Sequence, residues 1–171
     1  MMKVAGFGSE KVILLGIGDY GATGDQTIKI KTLALGSCVA VVLLDPRVKV
    51  AGMVHIALPD SQLQGGRKEF KPGYFADTGI PVLLQEMRKF GSSGILRDMY
   101  VKLAGGARVI RGEGVLDIGR RNIAAVKAIL KENGVRPVAH DVGNTISRTV
   151  TVELKTGIVR LSCPGRDDWF I

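Results

Sequence analysis

Residues Thr32–Ser61 read TLALGSCVAVVLLDPRVKVAGMVHIALPDS, and the fold follows from how this stretch pairs with itself. Val39 to Leu44 is a continuous apolar, largely β-branched run, the pattern of a strand covered on both faces. Asp45-Pro46-Arg47-Val48 is turn chemistry, with Asp first and Pro second as a type I turn favours. Lys49 to Leu58 is the return strand, and Pro59 ends it. A four-residue loop at 45–48 pairs Leu44 with Lys49, which sets Cys38 directly opposite His55. Their Cβ atoms would then lie about 4.5–5.5 Å apart. A two-residue loop at Pro46-Arg47 gives the same register, and a three-residue loop shifts it by one.

Upstream, Thr27 to Leu33 alternates, with Ile28, Ile30 and Thr32 on one face and Lys29 and Lys31 on the other. This predicts a half-buried strand with Thr32 pointing inward. Lys11 to Leu15 is a short apolar strand. Gly16-Ile17-Gly18-Asp19-Tyr20-Gly21 after it matches a dinucleotide fingerprint in letters only. That motif needs a following helix, whereas Ala22-Thr23-Gly24-Asp25-Gln26 is turn-rich.

Downstream, residues 60–76 form a long polar loop that could rim a site near His55. A helix follows, with Asp77 or Thr78 as cap, Pro81 in its first turn, and Gly91 as stop. Met99 to Leu103 is a strand leading into the tight Gly105-Gly106-Ala107 turn, and residues 108–117 are ambiguous. Gly119 to Asn133 is a second amphipathic helix, with Ile123, Val126, Ile129 and Leu130 on its apolar side. Val135 to His140, Arg148 to Leu154 and Ile158 to Leu161 read as strands. The expected organisation is a loosely paired lead-in at 1–10, one domain over 11–162, and a short tail at 163–171 that packs as a strap or stays free.

The 171 residues suit a single domain with a substantial core. Hydrophobic residues at 46% and charged residues at 23% are globular proportions. The N-terminal sequence carries no signal-peptide pattern, and no apolar run is long enough for a membrane span. The expected location is the cytoplasm, with no membrane insertion. Two cysteines make no disulfide framework, so the thiols are read as reduced. The net charge of +8 suits an acidic partner. Its densest groups, Arg67-Lys68-Glu69-Phe70-Lys71 and Arg120-Arg121, have no interleaved aromatics, so nucleic acid is not the expected partner.

A cysteine becomes a nucleophile when a neighbouring base takes its proton. His55 is so placed by the hairpin register. Thr32 could accept the imidazole's other N–H and fix its tautomer, as an acidic or amide side chain does in other triads. Backbone N–H groups at Gly36 and Ser37 could hold an oxyanion. The competing reading is a small buried cysteine beside a structural histidine. Paired metal-ligand spacing is absent, so no metal is expected. Cys163 and His140 are read as bystanders.

At these residues the chain resembles the CheD family, the chemoreceptor glutamine deamidases of bacterial chemotaxis. Thr32 to Val39 and Gly52 to Ser61 carry the resemblance. So do Val12–Tyr20, Tyr74–Pro81, Lys102–Ala107, Ile118–Asn122 and Asp141-Val142-Gly143, so that it covers most of residues 11–162. It implies a single-domain α+β sandwich of mixed, largely antiparallel sheet with two main helices, shared with cytotoxic-necrotizing-factor-type deamidases. It also implies a cofactor-free protein-glutamine glutaminase acting on methyl-accepting chemotaxis receptors, with some hydrolysis of glutamyl methyl esters. Cys38 would be nucleophile, His55 base and Thr32 orienter. A CheC-type phosphatase is the other implied partner, and a non-catalytic module regulating it is the alternative function. Asn144 and Ser147 stand where the family commonly has glycine, which leaves the shape of that loop open.

Overall fold

The computed structural model describes residues 4–7, 10–64, 70–108 and 117–171. Residues 109–116 of the ambiguous stretch 108–117 lie outside them, as do residues 65–69 of the long loop, which include Arg67-Lys68-Glu69 of the basic group. In chain order the strands are β1 (Val4–Phe7), β2 (Glu10–Leu15), β3 (Tyr20–Thr23), β4 (Ile28–Leu35), β5 (Val39–Asp45) and β6 (Val50–Ile56). Helix α1 (Ala76–Arg88), β7 (Tyr100–Gly105), α2 (Ile118–Glu132), β8 (Ala139–Val142), β9 (Arg148–Glu153), β10 (Ile158–Ser162) and β11 (Trp169–Phe170) follow. One sheet has the order β1-β2-β4-β9-β10-β11 and the other β3-β6-β5-β7-β8. Among the described residues the β2–β4 and β7–β8 ladders are parallel and the other ladders antiparallel. This is the expected mixed, largely antiparallel α+β sandwich with two α-helices.

Two apolar layers hold it together. Ile13, Leu15, Ile30 and Leu35 of the first sheet pack against Ala40, Val42, Ala51 and Met53 of the second. The second sheet's other face, with Val41, Leu43, Val54 and Leu103, is covered by Ile80, Leu83 and Met87 of α1 and Val126 and Leu130 of α2. β5 and β6 are therefore buried on both faces along their whole length, which is why neither alternates in polarity.

The β5–β6 register differs from the expected one by two residues. Asp45 pairs with Val50 and Ala40 with His55, so the loop is Pro46–Lys49. The cause is Asp45. Its carboxylate accepts from Arg47 N–H at 3.1 Å and from Ser92 Oγ at 2.8 Å, and it is 1% exposed. Held this way, Asp45 ends the strand instead of opening the turn, and Lys49 closes the loop at φ 54°. Because strand side chains alternate with a period of two, the slip keeps each residue on its face. Cys38 is diagonal to His55, not opposite.

Other elements move for local reasons. The turn-rich segment holds β3, which pairs Tyr20 with Val54 along the β6 edge. The last strand expected before the second half starts at Ala139, not Val135. Val135 N–H still bonds Leu130 C=O at 2.9 Å as part of the α2 cap, and Pro137 cannot join a ladder. Asp77 and Thr78 do not cap α1. They sit inside its first turn, where Asp77 accepts from Ser61 N–H at 3.0 Å and Thr78 Oγ1 donates to Pro72 C=O at 2.7 Å. Pro81 is the helix's sixth residue, past the first turn. The tail packs as a strap: β11 pairs with β10, and Trp169 Nε1 donates to Asp141 at 2.7 Å.

β4 carries a bulge between Thr32 and Leu35, with Ala34 at φ 48°. Without the extra residue, positions 32 and 35 would face opposite sides. With it, both are fully buried between the sheets while Leu33 points out, half exposed. The chain then leaves Leu35 through Gly36-Ser37 into Cys38 and crosses to the second sheet.

Candidate active site

Thr32 lies on the inner face of the first sheet. His55 belongs to the alternating set of β6 that, with Ala51 and Met53, faces it. Thr32 Oγ1 and His55 Nδ1 meet across the gap at 2.8 Å. The same hydroxyl is 2.9 Å from Leu15 C=O, an atom that can only accept. A hydroxyl has one proton, so Thr32 donates it to Leu15 and accepts from His55 Nδ1–H. That fixes the tautomer: Nδ1 carries the hydrogen and Nε2 the lone pair. Nε2 is buried and has no hydrogen-bond partner among the described residues.

Burial is what sets the protonation of this pair. It pushes His55 from its ordinary 6.5 down to about 4, with Asp19 pulling upward and Lys71 downward by smaller amounts. Asp19 and Lys71 pair at 2.8 Å. The Gly16–Asp19 turn, the source of the spurious dinucleotide motif, lies along His55. Gly18 N–H bonds His55 C=O, and His55 N–H bonds Asp19 C=O, both at 2.9 Å. Burial also pushes the Cys38 thiol up from its ordinary value. Both shifts favour the uncharged forms, the neutral thiol and the neutral imidazole.

Cys38 is partly buried and packs against the inter-sheet layer that contains Ala40, the residue opposite His55. Its loop is held by three consecutive carbonyls. Gly36 C=O accepts from Ala107 N–H at 2.8 Å, Ser37 C=O from Asn122 Nδ2 at 3.0 Å, and Cys38 C=O from Gly106 N–H at 2.7 Å. The corner is thus anchored through its acceptors. The close approach requires glycine at Gly105: a Cβ there would sit 2.3 Å from Cys38 C=O, and φ is 105°.

The structure brings Thr32 and His55 into contact and places Cys38 on their side of the sheet, with Gly36 and Ser37 leading into it. His140 is exposed on β8, and Cys163 is a second free thiol near the tail. Asn122 escaped the sequence reading. The signal available was a polar residue on the same helical stripe as Val126 and Leu130. A cavity of about 540 Å³ opens by the β5–β6 turn, lined in part by Lys49, Lys102 and Lys155, and includes none of Thr32, Cys38 and His55. Among the described residues no group of His, Cys, Asp and Glu could hold a metal.

The arrangement places a free cysteine and a threonine-held histidine on one face of the second sheet, toward the first. Residues 57–163 match the family described as CheD chemotactic sensory transduction. The chain is 50% identical to the probable chemoreceptor glutamine deamidase CheD of Syntrophotalea carbinolica, over 93% of this chain and 98% of that one. It is 41% identical to the chemoreceptor glutamine deamidase CheD of Thermotoga maritima, over 84% and 87%. The chain belongs to the CheD family. Among solved structures, the hypothetical protein YfiH of Bacillus licheniformis aligns at TM-score 0.42 and 12% identity, covering 74% of this chain and 50% of that one, too distant to bear on function. The family match begins at Ala57, just after His55, and does not span Thr32, Cys38 or His55.

Proposed function

We propose that the protein is a cytoplasmic hydrolase that deamidates glutamine side chains of chemoreceptors, with Cys38 as nucleophile, His55 as general base and acid, and Thr32 as its orienter. One observation carries the reading: the Thr32–His55 bond at 2.8 Å leaves a buried Nε2 lone pair with no partner. A structural histidine would have both nitrogens satisfied.

The steps follow from that tautomer. His55 Nε2 takes the Cys38 proton as sulfur attacks the carboxamide carbon, and N–H groups at Gly36 and Ser37 hold the oxyanion. The protonated imidazole gives its proton to the leaving nitrogen, the C–N bond breaks, and ammonia departs from a thioester. His55 then takes a proton from water, hydroxide attacks the acyl carbon, and the imidazolium returns that proton to the departing sulfur. Glutamate remains on the receptor. The same thioester route accepts a glutamyl methyl ester, with methanol as leaving group.

Incubation with a receptor cytoplasmic fragment, read by intact mass and ammonia release, tests this. The wild type should convert glutamine to glutamate, and Cys38→Ala should not. Activity surviving Cys38→Ala would remove the assigned nucleophile. Wild type as inert as Cys38→Ala would favour a non-catalytic module acting on a CheC-type phosphatase, a reading that phosphatase assays with and without this protein would then address.

A further inference from the structure

Outside the triad, one polar side chain is fully buried on a helix stripe made for apolar ones. Asn122 lies on α2 with Val126 and Leu130 and has 0% exposure. Its Nδ2 donates to Ser37 C=O at 3.0 Å and to Ala57 C=O at 2.9 Å. Both partners are pure acceptors, so the amide orientation is unambiguous. Ser37 immediately precedes the thiol, and Ala57 is two residues past the imidazole. A single amide therefore ties together the two segments that carry the reacting groups, which the observed register leaves at a diagonal offset.

The rest of the side chain shows why this is more than packing. Asn122 Oδ1 is buried without a partner, and the other such side-chain atom among the described residues is His55 Nε2. An orphaned buried acceptor weakens a fold, and a leucine on this stripe would avoid it. Both orphans lie on side chains tied to the segments that meet at Cys38. Local rules broken in this way concentrate at functional sites.

We infer that Asn122 is a positioning residue of the deamidation site: its amide clamps the Ser37 and Ala57 carbonyls and thereby holds the segment that carries Cys38 against the one that carries His55. The inference rests on the Cys–His reading above. It predicts an effect on chemistry, not on receptor binding, that disappears once His55 is gone.

The test uses full-length protein carrying Cys163→Ser, so that Cys38 is its only thiol. Iodoacetamide alkylation rates across neutral to alkaline pH, and kcat and KM on a receptor fragment, are measured for the parent, Asn122→Ala, His55→Ala and the double variant. Asn122→Ala should lower kcat about 10- to 100-fold with KM nearly unchanged. It should slow neutral-pH alkylation to the His55→Ala rate, and it should add no further loss in the His55→Ala background. Parent-like kcat and alkylation in folded Asn122→Ala, or a fully additive double variant, would overturn the clamp. If Asn122→Ala fails to fold, Asn122→Ser keeps a hydroxyl donor for one carbonyl and is read the same way. Absence of deamidation by the parent would remove the proposed function while alkylation, which needs no receptor, still decides the clamp. A His55→Ala thiol as reactive as the parent's would overturn both.

Discussion

At the scale of single residues, the hydroxyl of Thr32 has two jobs that can be separated. It accepts from His55 Nδ1–H and donates to Leu15 C=O. Thr32→Val keeps the shape and strands both partners, so stability should fall by about 1–3 kcal/mol in urea melts. The imidazole also loses its fixed tautomer, and kcat should drop about 10²-fold, within the range general base catalysis supplies. Thr32→Ser should recover most of both. His55 makes a second, pH-dependent prediction. Its folded pKa of about 4 lies below its ordinary 6.5, so between these values the unfolded chain binds a proton the native protein excludes. Stability should therefore fall as pH drops from 6.5 toward 4, by up to about 3 kcal/mol. His55→Gln should flatten that part of the curve. The acid limb of kcat/KM should have its midpoint near 4, and one near 6.5 would mean a solvated imidazole in the working enzyme. Sequence alone made Thr32 face inward and put Cys38 and His55 on one face, because alternation survives an even register error. It showed Asn122 only as a polar residue on an apolar stripe, not its partners, which are carbonyls remote in sequence.

At the scale of elements, the site depends on backbone shapes that few residue types allow. The Cys38 corner needs Gly105, where a Cβ would strike Cys38 C=O, and Gly119, where one would lie 2.5 Å from Gly106 C=O. Gly105→Ala should cost activity and stability together. Its strained φ alone is worth about 1–2 kcal/mol and the clash adds to that, so a variant with normal melting and kcat would mean the corner is not held as described. Asn144 is the opposite case. It stands where the resemblance expects glycine, yet it takes φ 60°, which asparagine tolerates, and its C=O accepts from Arg108 N–H at 2.7 Å. Asn144 thus adopts the positive φ that a glycine would supply, and Asn144→Gly should shift Tm by only a few degrees by calorimetry. Elements whose pattern reports burial, such as β5, β6 and the two helices, were legible in the sequence. Those set by an Asx interaction at Asp45, a bulge at Ala34 or a proline after a helix cap were displaced, because these effects act on one or two residues and leave no periodicity.

Across the whole molecule, the strap formed by β11 ties the second sheet's last strand to the first sheet through a buried charge. Arg148 has no exposed surface, bonds Asp141 through Nε and Nη2 at 3.1 and 2.9 Å, and donates through Nη1 to Gly143 and Ile146 C=O at 3.0 Å each. Trp169 Nε1 completes the set on Asp141. Arg148 is also the ladder partner of Leu35, the last residue before the Cys38 corner. Its guanidinium holds the Asp141 carboxyl below the ordinary carboxylate range, with Trp169 adding a smaller pull the same way. A carboxylate with a depressed folded pKa stabilises above its unfolded value and loses that contribution as pH falls through the folded one. Arg148→Met fills similar volume but removes the donors to Asp141 and to the Gly143 and Ile146 carbonyls, so it should destabilise by about 1–3 kcal/mol, less than a fully buried pair because Asp141 is partly solvated. Trp169 is the single tryptophan, which makes the strap directly observable. In the wild type, urea transitions by tryptophan fluorescence and by circular dichroism should coincide, since β11 is integral to the first sheet. In Arg148→Met the fluorescence transition should come first. Coincident transitions in that variant would show that β-pairing to β10, not the Asp141–Arg148–Trp169 cluster, secures the end of the chain.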